Sequence, residues 1–315
     1  MVRVTLSGLC GTDLHSYHAR LWQVDPAVIQ GHEAVGVVHA VGDGVARIQP
    51  GERVLVYQAF GCQQCLECAL GNDHLCQVAT NHHIGQKRHG GRAEFIVVTE
   101  RMCLRLPDWM SFEDAVVLSC AGGTAYAALR KVNTSYDDTV VVFGLGPVGL
   151  SAVMFAKAMG AKVIGVDPKH EQRKFASTFG ADEIFGTEAG DPAPLIKELL
   201  RGAAGAVALE CSGSSVVRTS TILQATPIRN TTRIVYVALG ESEDRTPVRF
   251  GQRTVTGTHI FSLPDFYTMC SLIAAKNLRP GEMVTHRFPL EKAPEAYQLL
   301  EQQPGGKIVF DAALE

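Results

Sequence analysis

The chain has 315 residues, of which 46% are hydrophobic and 19% are charged, a balance typical of globular proteins with a large core. Its 29 basic and 32 acidic residues give a formal net charge of -3, which excludes the strongly basic character of most nucleic-acid-binding and membrane-surface proteins. The sequence has no apolar run long enough to span a bilayer, and its first eight residues lack the pattern of a secretory signal. We therefore expect a cytoplasmic protein whose partners are small molecules and copies of itself, with no nucleic acid and no membrane.

The first third of the chain has a β-rich pattern. Short apolar runs at residues 35–41, 53–57 and 93–98 are separated by Gly, Pro and Asp, which is typical of strands joined by turns. Two groups of residues before and within this region carry candidate chemistry: Cys10, Thr12 and His15 near the start, and the His32–Glu33 pair. Each of these residues could also be an ordinary buried or solvated side chain. They indicate a functional site only in combination with the motifs that follow.

Four closely spaced thiols come next. Cys62, Cys65, Cys68 and Cys76 have the spacing C-x2-C-x2-C-x7-C, which lets one loop surround a tetrahedral zinc ion and fill all its positions, as in a structural site. An iron–sulfur cluster and two disulfides are the alternatives. Ferredoxin-type motifs place the fourth cysteine after three residues, with proline behind it, and nothing else in the chain indicates an oxidising compartment.

From about residue 112 apolar strands alternate with helical stretches, which predicts βαβ units around a parallel sheet. The strand at residues 139–143 runs into Gly144, Gly146, Pro147, Val148 and Gly149, followed by an apolar helix. This G-x-G-x-x-G turn, between a strand and a helix, predicts a dinucleotide site. Asp167 ends the next strand, where a carboxylate binds the adenosine ribose and favours NAD; Lys169, His170 and Arg173 nearby keep NADP open.

After about residue 257 the alternation ends. A helix at 266–275, a strand at 284–288, a helix at 294–301 and a strand at 307–310 are expected to return to the first domain. The predicted division is residues 1–112 and 258–315 for a β-rich domain and 113–257 for the nucleotide-binding domain. The fold class is therefore α/β, with a doubly wound parallel sheet inserted in a β-rich domain.

These motifs together resemble a known family. Residues 31–45 have the pattern G-H-E-x2-G-x5-G-x2-V, and with residues 10–13, the four-cysteine loop and the glycine-rich turn they resemble the zinc-containing medium-chain alcohol dehydrogenases. The similarity is greatest to the branch with threonine and polyol dehydrogenases, and it extends to residues 285–290 and 306–309. It implies a GroES-like catalytic domain split around a Rossmann domain, and an assembly of two or four identical chains.

The resemblance also implies a second, catalytic zinc. Its protein ligands would be Cys10, His32 and Cys120, with Glu33 against the metal, although polyol-type members often have a carboxylate where this chain has Cys120. The Cys2His set leaves one position open for substrate. Cys103, Cys211 and Cys270 are then expected to be structural thiols.

The expected activity is hydride transfer between an alcohol and NAD. A zinc-bound alcohol is acidified. The resemblance implies that Thr12 accepts its proton and passes it through the nicotinamide ribose to His15, whose unperturbed pKa of about 6.5 suits release to solvent. A carbonyl reductase that uses NAD(P)H and a non-catalytic nucleotide-binding relative are the alternatives. Tyr17, Trp22, Phe60, Tyr126 and Phe261 are candidate pocket residues.

The resemblance begins close to Met1, whereas relatives carry further strands upstream of this point. We therefore expect the strand near residues 3–6 to lie at an open sheet edge with poorly covered apolar side chains, and the chain to associate through that edge.

Overall fold

The computed structural model describes residues 1–18, 25–78, 83–188, 190–240 and 252–314. In this part of the chain the strands are β1 (Val2–Leu9), β2 (Ala34–Val38), β3 (Arg53–Val56), β4 (Phe95–Ile96), β5 (Cys103–Arg105), β6 (Asp138–Phe143), β7 (Lys162–Val166), β8 (Glu183–Phe185), β9 (Gly205–Glu210), β10 (Thr232–Tyr236), β11 (Thr254–Gly257), β12 (Val284–Phe288) and β13 (Lys307–Asp311). The helices are α1 (Gly11–Tyr17), α2 (Leu66–Ala69), α3 (Phe112–Val117), α4 (Gly123–Lys131), α5 (Pro147–Ala158), α6 (His170–Thr178), α7 (Ala193–Leu199), α8 (Ile222–Ala225), α9 (Leu263–Lys276) and α10 (Ala293–Gln302). No helix in these residues is both long and apolar enough to cross a membrane.

The chain forms two compact units. The first comprises residues 1–123 and 261–315, and the second comprises residues 124–260. The first is therefore built from two separate stretches of sequence, whereas the second is continuous.

The first unit contains a mostly antiparallel sheet. Its strand order is β12-β13-β1-β2-β3-β5, and β4 also pairs with β1. β1 is antiparallel to β2, β4 and β13, so the last strand of the chain pairs directly with the first. Helix α10 packs against β13 through a cluster that includes Leu9, Ala296, Ile308 and Phe310.

The prediction that residues 3–6 lie at an open sheet edge is wrong. β1 lies inside the sheet: β2 pairs with it on one side, and β13 and β4 pair with it on the other. Val2, Val4 and Leu6 are buried. The return of the chain at β13 supplies the backbone partners and apolar cover that the prediction assigned to upstream strands.

The second unit contains a parallel sheet in the order β11-β10-β9-β6-β7-β8. If β6 is numbered 1 and the sheet is taken from the β8 edge, the strand order is 3-2-1-4-5-6, which is the Rossmann arrangement. The order in which the chain adds strands changes side between β6 and β9. The core packed on this sheet includes Val141, Ile164, Ala208 and Ile234, which are inaccessible to solvent. The predicted fold class is confirmed.

Candidate active site and metal centres

The first candidate site begins where β1 ends. Cys10 lies between β1 and α1, and its backbone carbonyl accepts a hydrogen bond from Asp13 N at 2.9 Å. Thr12 and His15 follow on α1, both half-buried. Residues three apart on a helix are neighbours on one face, so the hydroxyl and the imidazole lie on the same side of α1.

His32 and Glu33 enter the site from the neighbouring strand. They immediately precede β2, which pairs with β1 so that Ser7 lies opposite Ala34. Gly8 N donates to the Glu33 carbonyl at 2.9 Å and extends this pairing towards Cys10. Antiparallel pairing thus brings together two motifs that are about twenty residues apart in the sequence.

Cys120 comes from a π-helical turn, Leu118–Gly122, every residue of which is buried. Such turns are uncommon and occur often at functional sites because they rotate side chains away from regular helical positions. The amide of Gln58 donates to the Ser119 carbonyl at 3.1 Å. This contact holds the turn next to the end of β3.

The ligand atoms of Cys10, His32, Glu33 and Cys120 all lie within 4.8 Å of one another. A hydrogen bond with Cys120 lowers the pKa of the Cys10 thiol despite its burial, and the same contact together with burial raises the pKa of Cys120. Burial alone would lower the pKa of His32, but the Asp13 carboxylate outweighs it and raises the pKa to about 10. Two thiols and an imidazole so close together fit a zinc ion, whose binding displaces their protons.

Glu33 is paired with a buried lysine. Lys307 Nζ lies 2.6 Å from Oε1 and 2.5 Å from Oε2 of Glu33, and the two side chains are 1% and 0% exposed. Burial raises the pKa of Glu33, whereas Coulombic attraction to Glu33 outweighs burial and raises the pKa of Lys307. Glu33 therefore stands beside the candidate ligands with its charge largely balanced.

A second carboxylate contacts both Cys10 and His32. Asp13 Oδ2 accepts a hydrogen bond from Cys10 N at 2.8 Å, and Oδ1 lies 3.4 Å from His32 Nδ1. Asp13 also forms an ion pair with Arg92. A carboxylate on Nδ1 favours the tautomer that leaves Nε2 available to a metal.

The four-cysteine loop forms a second candidate metal site. The ligand atoms of Cys62, Cys65, Cys68 and Cys76 lie within 4.8 Å of one another, and the Cys65 and Cys68 sulfurs are 3.5 Å apart. No disulfide joins these four cysteines. Arg101 braces the loop, since its guanidinium binds Asp73 at 2.7 Å and the Cys68 carbonyl at 2.7 Å.

The glycine-rich turn has room for a nucleotide. A Cβ on Gly149 would overlap the Gly144 carbonyl, and Gly144 itself has φ +91°, whereas a Cβ on Gly146 would meet nothing within 4 Å. Pro147 and Val148 begin α5, whose N-terminus is suited to an anion. These observations fit a pyrophosphate that approaches at Gly146.

Asp167 lies directly after β7 and is largely buried. Its Oδ2 accepts the Leu145 N–H and its Oδ1 the Lys169 N–H, both at 2.8 Å; burial outweighs these bonds and raises its pKa. Arg173 donates to the Asp167 and Pro168 carbonyls at 2.8 Å and pairs with Glu188. Asp167 therefore links the glycine-rich turn to the start of α6.

Three residues next to the first site were not found by sequence reasoning: Asp13, Arg92 and Lys307. Lys307 left a signal, because a lysine at the head of an apolar strand is unusual, while Arg92 left none. Among the expected pocket residues Phe261 is buried, Tyr17 is exposed and Phe60 contacts Arg88. Tyr126 lies in the second unit, and Trp22 lies outside the described residues.

Comparison with known proteins places these features in one family. Residues 1–108 match the family model for the alcohol dehydrogenase GroES-like domain, and residues 147–275 match that for zinc-binding dehydrogenases. The chain is 36% identical to the zinc-type alcohol dehydrogenase-like protein YphC of Escherichia coli, over 99% of this chain and 91% of the relative. It is 29% identical to an L-threonine 3-dehydrogenase of Anaeromyxobacter, over 98% and 90%. The solved structure of galactitol-1-phosphate dehydrogenase from Escherichia coli is similar with a TM-score of 0.84 and 27% identity, over 98% and 91% of the two chains.

Proposed function

Because the chain belongs to the zinc-containing alcohol dehydrogenase family, we propose that it is a zinc- and NAD-dependent dehydrogenase of a secondary alcohol, a polyol or a hydroxy amino acid. The observation that carries the proposal is the convergence of Cys10, His32 and Cys120, a Cys2His set with Glu33 beside it. The catalytic zinc of alcohol dehydrogenases is held by a ligand set of this composition, which keeps one coordination position for substrate. The relatives named for threonine and galactitol 1-phosphate support the substrate classes.

The residues have separate roles in this proposal. Cys10, His32 and Cys120 hold the catalytic zinc, which when bound lowers the pKa of an alcohol oxygen as a Lewis acid. Thr12, two residues after Cys10, would accept the alcohol proton while giving up its own hydroxyl proton to the nicotinamide ribose, and His15 on the same face of α1 would take a proton from that ribose and release it to solvent. Glu33, neutralised by Lys307, keeps a carboxylate near the site without adding a full uncompensated charge.

The second unit supplies the cofactor site. Gly144, Gly146 and Gly149 allow the backbone to approach a pyrophosphate at the start of α5, and NAD held there would supply the hydride acceptor. Asp167 favours NAD over NADP. Arg173, held by two carbonyls and Glu188, orders the loop around Asp167. Two zinc ions per chain and assembly as a homodimer or homotetramer complete the proposal.

The test is a screen for NAD and NADP reduction over primary alcohols, secondary alcohols, polyols and hydroxy amino acids, with zinc measured on the same sample. The reverse reaction with carbonyl compounds and NAD(P)H tests the reductase alternative. Light scattering gives the number of chains in the assembly. Turnover with NAD and about two zinc ions per chain supports the proposal; nucleotide binding without turnover in either direction would favour the non-catalytic alternative.

The variant Cys10→Ser tests the assignment of the catalytic zinc site. It removes one ligand of the open site, so we expect activity to disappear together with about one zinc ion per chain while the fold is kept. Full activity and full zinc content in this variant would contradict the assignment of the catalytic site.

A further inference from the structure

Arg92 is a buried arginine whose ion-pair partner, Asp13, contacts two of the candidate ligands. Its side chain is 6% exposed and forms an ion pair with Asp13, whose side chain is equally buried. The guanidinium also donates to Gln30 Oε1 at 3.3 Å and to the Tyr297 hydroxyl. It lies over the Tyr297 and Phe310 rings, with Cζ 5.3 Å and 5.7 Å from their centroids. The two terminal nitrogens and the two rings thus hold the guanidinium in place, whereas its buried Nε has no hydrogen-bond partner.

The Asp13 carboxylate is divided between Arg92 and the two candidate ligands. Arg92 and the Cys10 backbone N–H both bind Oδ2, and Oδ1 faces His32 Nδ1 at 3.4 Å. A carboxylate free to rotate about its terminal bond would not keep this division. Arg92 therefore sets the direction from which Oδ1 meets the imidazole.

The backbone of Arg92 is tied to the same place. Arg92 N donates to the Gln30 carbonyl at 3.0 Å, and Gly91 N donates to the Gly31 carbonyl at 2.8 Å. The two acceptors, Gln30 and Gly31, directly precede His32. Gly31 has φ +99°, and a Cβ there would lie 2.7 Å from Arg92 Cγ, so only glycine allows the arginine to pass this close. The segment of Arg92 thus positions both the backbone that carries His32 and the carboxylate that orients its ring.

We propose that Arg92 is a positioning residue of the open metal site, acting through Asp13 to hold Cys10 and His32 in the geometry that binds zinc. The inference rests on the proposed function, because it assumes that Cys10, His32 and Cys120 hold a metal. Partners of metal-binding histidines typically change metal affinity by about 10- to 100-fold when removed. Arg92 contacts Asp13 rather than the histidine itself. Its removal frees Oδ2, which lets the carboxylate turn and changes the contact of Oδ1 with His32 as well.

The experiment compares Arg92→Met, Arg92→Lys, Asp13→Asn and the double variant Arg92→Met/Asp13→Asn in the full chain. Zinc affinity at each of the two sites is measured by competition with a chromophoric chelator, and Co²⁺ spectra report the ligand geometry. We expect Arg92→Met to weaken zinc binding at the open site by about 10- to 100-fold and to alter its Co²⁺ spectrum. The four-cysteine site should be unchanged, and Arg92→Lys should restore part of the loss because it keeps the charge.

Arg233→Met is the matched control, since Arg233 pairs with the buried carboxylate of Asp138 in the second unit. It should leave both zinc affinities unchanged even if stability falls. If Arg92 acts through Asp13, the double variant should bind zinc as tightly as Asp13→Asn alone. That comparison does not require Arg92→Met to fold: the double variant leaves no lone buried charge, and in Asp13→Asn the guanidinium keeps its hydrogen bonds to Gln30 and Tyr297.

Three results would overturn the inference: unchanged zinc affinity in Arg92→Met, equal weakening at both sites, or a double variant clearly weaker than Asp13→Asn. Each is separable from failure of the proposed function by Cys10→Ser. If Cys10→Ser loses one zinc ion while Arg92→Met binds zinc like the parent, only the role of Arg92 is wrong. If Cys10→Ser keeps both zinc ions, the proposed function fails.

Discussion

Gly8 makes the Glu33–Lys307 pair possible. A Cβ at this position would overlap Glu33 Oε2 and lie 3.0 Å from Lys307 Cε. The pair has almost no solvent access, and a buried ion pair is stabilising only while both partners keep their geometry. A side chain as small as alanine is therefore enough to push the two charges apart.

Gly8→Ala should lower the free energy of unfolding by about 1–3 kcal/mol, the usual cost of overpacking a buried site. The measurement is urea unfolding followed by fluorescence. Gly42→Ala is the control, because a Cβ there would meet nothing within 4 Å, and it should change stability by less than about 0.5 kcal/mol. Equal stabilities of the two variants would mean that Glu33 and Lys307 can separate without cost.

The proton path can be tested at Thr12. Thr12→Val keeps the shape but removes the hydroxyl, so turnover should fall by about 10² to 10⁴, the contribution of a positioned proton transfer. His15→Ala should have a smaller effect, because water can replace a group that only releases the proton to solvent. Thr178→Val makes the same change at an exposed threonine of the second unit and serves as the control. Steady-state rates across pH decide; small and equal losses at Thr12 and His15 would indicate a different proton path.

Site residues that belong to short sequence motifs could be predicted from the sequence. Site residues that are brought to the site by pairing of distant strands could not. Cys10, His32 and the glycines of the turn occur in local patterns whose spacing reflects their chemistry. A lysine at the head of an apolar strand marks Lys307 as unusual, but the contacts of Lys307 and Arg92 with the site depend on strand pairing and on the left-handed backbone at Gly31, which no local pattern predicts. Asp13 lay inside a recognised motif, but its contact with His32 depends on the pairing of β1 with β2.

At the scale of elements, the turn between β6 and α5 separates packing from binding. Gly149→Ala should destabilise the protein, because its Cβ would overlap the Gly144 carbonyl and push α5 away from β6. Gly146→Ala should leave thermal stability nearly unchanged but weaken NAD binding by at least about tenfold, since one charge-assisted hydrogen bond is worth about 1.5–3 kcal/mol. Thermal unfolding and NAD titration of both variants distinguish the effects. Strong NAD binding by Gly146→Ala would place the pyrophosphate elsewhere.

The four-cysteine loop contains only short helical segments, α2 and the turn Asp73–Leu75, so its order depends on cross-links. Cys65→Ser should remove about one zinc ion per chain and lower the melting temperature by at least about 5 °C, on a scale of 2–4 °C per kcal/mol for domains of 150–250 residues. Cys211→Ser, which changes a similarly half-buried thiol, should keep both zinc ions. A Cys65→Ser variant with the parent's zinc content and stability would exclude a structural metal here.

Strand and helix positions were predictable wherever the apolar period was long. α9, α10, β6 and β13 agree with the sequence patterns to within a few residues, whereas β8 was not predicted. β4 was expected at residues 93–98 and is Phe95–Ile96, because β1 offers it only two pairing positions, at Val2 and Arg3. The position of β1 in the sheet could not be predicted, since its pairing partner β13 lies at the opposite end of the chain.

For the whole molecule, the order of segments along the chain has a physical consequence. The sheet of the first unit combines strands from before and after the second unit, because β1 pairs with β13, which also pairs with β12. Folding of this unit therefore closes a loop that contains the entire second unit, and such non-local pairings form slowly. The second unit has its own sheet, and its core residues belong to that sheet and the helices beside it.

The segment of residues 124–260 should accordingly fold by itself and bind NAD without zinc. Its length is in the range of independent domains, the six-stranded sheet uses only strands from within it, and the glycine-rich turn and Asp167 lie inside it. The expressed segment should show cooperative thermal unfolding, and NAD at 100 times its Kd should stabilise it by about 2.7 kcal/mol. The same segment with Gly146→Ala is the control; it should fold and, at the same NAD concentration, gain no more than about 1.4 kcal/mol, because its Kd is at least tenfold higher. A segment that stays unfolded, or that folds but gains nothing from NAD, would show that the nucleotide site requires residues of the first unit.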